Sequence, residues 1–180
     1  MTSERTTLVA AVIAAAASGF SLLLNLIAAW GTESRAAHRQ LLAPKLAELG
    51  TAIHSTIATT NILSRARSPE AIENWRRRGA LAKDSLKELR VELRYPLYGI
   101  GKPMRTLSRL PDWIEHARPF PKYAEKLTTR AQWLGWALDF AIRRSYRLGR
   151  PPSLAERLLA WMAASEVKRL YAKMRNQMRA

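Results

Sequence analysis

Gly149-Arg150-Pro151-Pro152-Ser153-Leu154-Ala155-Glu156 ends one helix and begins another. A glycine just past the last turn supplies a cap, and two successive prolines cannot continue the helix. Ser153, with Glu156 three positions on, has the spacing of a capping box. On the N-terminal side of this joint, a long helix from about Lys122 carries Tyr123, Leu127, Leu134, Leu138, Ala141 and Tyr146 at helical spacing. On the C-terminal side, Leu154, Leu158, Trp161, Met162, Val167 and Leu170 populate a final helix.

Farther out, Pro96, Pro103, Pro111, Pro119 and Pro121, with Gly99 and Gly101 between them, predict short helices and loops over 96–121. Ser68-Pro69-Glu70 is a helix start: a serine to cap, a proline for the first turn and a glutamate that complements the dipole. Ile72, Trp75, Ala82, Leu86, Leu89 and Leu93 extend that helix until Tyr95-Pro96 interrupts it. A preceding segment, Thr32 to Arg65, places Leu42, Leu46, Leu49, Ile53 and Ile57 on one seam, with Pro44 either bending the helix or dividing it. The expected fold is all-α: an N-terminal transmembrane helix (residues 1–31), then a basic cytoplasmic bundle of about four main helices (residues 32–180).

The anchor is read from Leu8 to Trp30, where the chain has no Asp, Glu, Lys or Arg. About 20 helical residues cross a ~30 Å hydrocarbon layer, and Trp30 falls at the headgroup level. A cleaved signal peptide is the competing reading. Its basic region would be Arg5 alone, offset by Glu4, and the apolar run exceeds a usual signal core. Arg35, Arg39 and Lys45 follow the span, so the expected topology is N-terminus out and C-terminal domain cytoplasmic, at the inner (plasma) membrane. Ser18, Ser21 and Asn25 share one face of the span. Such a stripe packs a homo-oligomer or lines a pore.

Lys and Arg number 30 against 14 Asp and Glu, a formal net charge of +16. That charge attracts phosphate, whether lipid headgroup or nucleic acid, without choosing between them. Arg143, Arg144 and Arg147 on the long helix are candidate phosphate or lipid contacts, as are Lys168, Arg169, Lys173 and Arg175 on the last helix. A solvated helix face is the competing reading of each cluster. Trp133, Trp136 and Phe140 share a face expected in the core or at a subunit contact.

Cysteine is absent, which excludes disulfides, thiolate metal sites and cysteine nucleophiles. His38, His54 and His116 are far apart, so no metal site is expected. No phosphate loop, dinucleotide fingerprint or nucleophile elbow occurs, and neither a cofactor nor a small-molecule substrate is expected.

Arg109-Leu-Pro-Asp-Trp-Ile-Glu-His116 has an Arg-x6-His spacing that resembles the motif of the HEPN ribonucleases, a family of helical bundles. In that family a dimer pairs Arg with His, the imidazole acting as acid or base and the guanidinium holding the scissile phosphate. Leu110 stands where the family has a polar residue, and Pro111 lies inside the motif. Arg109 and His116 are thus the candidate pair of a degenerate motif, and no catalytic residue is expected to be active. With the single span and the small basic bundle, the layout resembles the membrane accessory proteins of type VI-B CRISPR systems. That resemblance implies a ring-shaped homo-oligomer that depolarises the host membrane in antiviral defence, with lipid and RNA or an RNA-guided effector as partners. The residues alone also allow a membrane-tethered module that binds phosphate, RNA or a partner without any pore. A ribonuclease using Arg109 and His116 is the third reading.

Overall fold

The computed structural model describes Ala36 and residues 39–178, and all regular structure among them is helical. The expected span, with Ser18, Ser21, Asn25 and Trp30, lies outside the described residues. Among the described residues, no helix is long and apolar enough to cross a membrane. The chain divides after Leu41, and the bundle described here begins at Leu42.

The first helix, α1, is helical from residue 39 to residue 65, straight through Pro44. The helix therefore does not end at that proline, which removes only one backbone donor on an exposed turn. Of the expected seam, Leu46, Leu49 and Ile53 are buried and Leu42 and Ile57 pack partly buried against the core, and Leu63 extends the buried face. Thr56 and Thr60 are buried beside them because each hydroxyl donates back to a carbonyl of its own helix, Ala52 O at 2.8 Å and Thr56 O at 2.7 Å.

Helix α2 is Pro69–Glu92; Ser68 caps it, its hydroxyl accepting from Ala71 N at 3.2 Å. The proline-rich stretch then folds into two short helices, α3 (Gly101–Ser108) and α4 (Leu110–Ala117). Pro111 stands in the first turn of α4 and Pro121 in the first turn of α5, where a helix needs no backbone donor. Pro103 and Pro111 are also buried. The prolines therefore begin helices here and contribute to the core.

Helices α5 (Pro121–Leu148) and α6 (Leu154–Gln177) form a hairpin across the joint quoted above. Gly149 takes φ 58° and ψ 33°, and Arg150 N donates to Ser145 O at 3.2 Å, closing the end of α5. Ser153 and Glu156 complete a capping box, with Glu156 Oε2 accepting from Ser153 N at 2.6 Å. The short connection makes the two helices antiparallel, and the Tyr123 hydroxyl accordingly donates to Gln177 Oε1 at the far end.

Between them the core is lined by Leu127, Ala131, Leu134, Ala137, Leu138 and Ala141 from α5, and Ala160, Ala163 and Val167 from α6, all fully buried. Full burial of each leucine contributes about 1.5–3 kcal/mol. The apolar residues expected to populate α6 divide: Val167 is fully buried and Leu170 packs against the core, whereas Leu154, Leu158, Trp161 and Met162 are 81%, 62%, 44% and 51% exposed. Alanine methyls, Ala160, Ala163 and Ala164, make up much of the face that α6 buries, and these larger side chains lie outside it.

Candidate functional site

The cations expected to contact phosphate separate into two places. On α6, Arg169 and Lys173 line a groove of about 800 Å³ whose opposite wall is Lys122, Lys126 and Arg130 of α5. The antiparallel hairpin produces this juxtaposition, since it sets the start of α5 against the end of α6. Glu125 and Glu166 also line the groove, and Glu166 pairs with Arg130 at 2.9 Å. Five cations against two carboxylates leave the groove cationic. Lys168 and Arg175 are exposed on α6 but do not line it.

The second place is the C-terminal half of α5. Trp136 and Phe140 stack there with ring centroids 5.6 Å apart, and Arg143, Arg144 and Arg147 surround them. Two of these arginines are engaged within the protein. Arg143 Nε lies 2.8 Å from Asp139. Arg144 Nε lies 3.0 Å from Oε1 of the buried Glu156, with Arg150 at 3.7 Å from the same oxygen. Arg144 thus balances the one carboxylate buried in the capping box. Arg147 has no ion pair among the described residues and is exposed.

Trp136 and Phe140 are 54% and 37% exposed, whereas Trp133 packs against the core. The three aromatics therefore do not act as one face.

Arg109 stands at the N-terminal end of α4 and His116 in its last turn, and both are exposed. Seven residues of helix separate them by about 10 Å along the axis. The His116 Nδ1–H donates to Asp112 O at 2.7 Å, which leaves Nε2 facing outward. The carboxylates between them are taken by α2: Lys83 pairs with Asp112 at 2.7 Å, and Arg76 makes a two-nitrogen contact with Glu115. The hydrogen bond from Arg76 holds the Glu115 carboxyl below its ordinary value, while partial burial pushes the other way. The polar face of α4 is accordingly a docking face for α2.

Among the described residues, no three His, Asp or Glu side chains gather as a metal-binding group. No family model matches the chain, and neither a curated protein nor a solved structure matches it.

The groove's α6 half was legible from its charges. Lys122, Lys126 and Arg130 were missed, because no local pattern states which helix stands opposite.

Proposed function

We propose that this chain is a membrane-tethered binding module whose basic bundle engages phosphate at the lipid surface through the α5–α6 groove. The observation that carries the reading is the convergence of Lys122, Lys126, Arg130, Arg169 and Lys173 from two helices on one groove. Near an acidic leaflet each such cation contributes about 1 kcal/mol, or roughly fivefold in affinity, so a cluster acts where a single residue does not. The uncharged run Leu8–Trp30 supplies the tether in this reading and keeps the bundle within reach of headgroups. The exposed Trp136–Phe140 stack suits the same surface, where aromatic rings are favoured.

The chain has no cysteine, so Ala172→Cys on exposed α6 gives a single labelling site. A dye there, in full-length protein reconstituted into vesicles, is expected to be quenched by a headgroup-borne quencher more strongly in phosphatidylglycerol vesicles than in neutral phosphatidylcholine. Lys122→Gln with Lys173→Gln should remove most of the difference. Equal quenching in both lipids would sink the proposal, and salt-sensitive binding of single-stranded RNA in its place would redirect it to nucleic acid.

A second reading is favoured by a separate observation. Leu154, Leu158 and Met162 recur every four residues and Trp161 joins them, forming an exposed apolar stripe along α6. Copies packed through that stripe would gather their anchors, as a pore-forming or pore-gating antiviral accessory requires. That reading expects the purified full-length chain to be a large oligomer in detergent by light scattering and to leak ions when reconstituted. Leu158→Glu should dissociate the oligomer and stop the leak; a monomeric wild type would end this reading.

A further inference from the structure

A second cationic concavity lies at the opposite side of the sequence from the α5–α6 groove. It is a pocket of about 590 Å³ where the end of α2 meets the start of α3. Arg90 and Arg94, one turn apart, come from the α2 side, and Lys102 and Arg105 come from α3. Tyr98 and Trp161 form its aromatic walls.

The charge pattern differs from that of the other basic clusters. Elsewhere carboxylates are threaded among the cations: Glu73 serves Arg76 and Arg77, Asp139 serves Arg143, and Glu166 serves Arg130. No Asp or Glu lines this pocket, and none of its four cations makes an ion pair among the described residues. Four like charges around one hollow repel one another, and no carboxylate among the described residues pairs with them. The fold nonetheless holds them there. Gly99 turns the chain with φ 91°, Arg157 packs over Gly99 and over the Tyr98 ring at 5.1 Å, and Lys102 lies 5.1 Å above Trp161. At Gly101, also in the lining, an added Cβ would meet nothing within 4 Å, so packing does not demand a glycine there. The bare backbone leaves room at the pocket wall, and no side chain caps α3.

We infer that this pocket binds a doubly charged phosphate group, a phosphomonoester or pyrophosphate, in preference to a phosphodiester. A diester carries one negative charge and is matched by cations spread along a surface. A terminal phosphate carries close to two at neutral pH and presents three oxygens to converging donors, which suits guanidinium forks around a single point. The group can be free in solution or borne by a lipid headgroup such as phosphatidic acid; the chemistry of recognition is the same. This site is separate from the α5–α6 groove and stands or falls without it.

The test uses the full-length chain in a neutral detergent at pH 7.5, titrated calorimetrically with inorganic pyrophosphate. Binding is expected, and Arg94→Gln or Arg105→Gln should each weaken it about tenfold or more, the loss of one charge-assisted contact. Lys168→Gln with Arg175→Gln, which removes two exposed charges outside the pocket, should leave it within about twofold. In a second arm, the chain carries a dye at Tyr95→Cys, beside the pocket, and is reconstituted into phosphatidylcholine vesicles containing either phosphatidic acid or phosphatidylglycerol. A response to phosphatidic acid alone, competed by pyrophosphate and lost in Arg94→Gln, identifies a lipid source. Pyrophosphate binding with no response to either lipid identifies a free one. The inference is overturned if neither arm responds, or if both lipids act equally. It is also overturned if affinity follows Lys122→Gln and Lys173→Gln instead of Arg94 and Arg105, an outcome that leaves the groove proposal intact.

Discussion

Gly99 is where a single residue decides most. Its φ of 91° is a conformation that side chains other than glycine rarely take, and a Cβ there would lie 2.4 Å from Arg157 Cδ. Gly99→Ala is expected to destabilise the protein by about 1–3 kcal/mol, read from urea unfolding of the full chain in detergent. Adding Arg157→Ala should recover only part, because it relieves the collision and leaves the backbone strain. Glu115 gives a second residue-scale expectation. Its carboxyl is held below the ordinary value of 4.5 by the hydrogen bond from Arg76. A depressed folded-state pKa means that this stabilisation is present above pH 4.5 and fades as the pH falls through the lowered value. Unfolding midpoints of wild type and Glu115→Gln should therefore differ at pH 7 and converge under acid, and a constant gap across that range would contradict the assignment.

At the level of elements, helix ends were legible and helix faces were less so. Ser68-Pro69 and Ser153 with Glu156 carry their hydrogen-bond chemistry within four residues, so both starts could be read from local sequence. Ser153→Ala should cost about 0.5–2 kcal/mol, measured by thermal melting with the helix content of the folded state unchanged. The run from Pro96 to Pro121 reads as interruption, but Pro111 and Pro121 start helices; whether a proline breaks or begins one depends on a turn that only the tertiary path supplies. On α6 most of the larger apolar residues that look like the core lie outside it, and alanines make up much of the core face. Leu158 lies outside while Ala160 and Ala163 are fully buried, and of the larger apolar α6 side chains only Val167 and Met174 join them among the described residues. Among the candidate site residues, Arg169 and Lys173 were visible as charges, but Arg144 was not recognisable as the counter-ion of Glu156. Arg90, Arg94, Lys102 and Arg105 stand in no basic run, so the pocket they share could not be anticipated from spacing.

For the molecule as a whole, the division of labour is between a middle that is nearly all carbon and a rim that is strongly positive. Among the described residues the Lys and Arg side chains lie on the rim, and several carboxylates join helices: Asp112 and Glu115 tie α4 to α2, and Glu92 reaches Lys45 on α1 at 3.2 Å. This arrangement predicts that packing and binding are separable except along the α5–α6 seam. There, Ala163→Leu should lower stability by about 1–3 kcal/mol and also weaken contact with anionic vesicles, although it touches no phosphate. Comparing it with Lys173→Gln, which should weaken contact and spare stability, checks the expectation. The seam thus works as a calibrated spacer: uncharged methyl groups set the gauge between two rows of ammonium and guanidinium groups, so the width of the charged cleft is written in its least reactive residues.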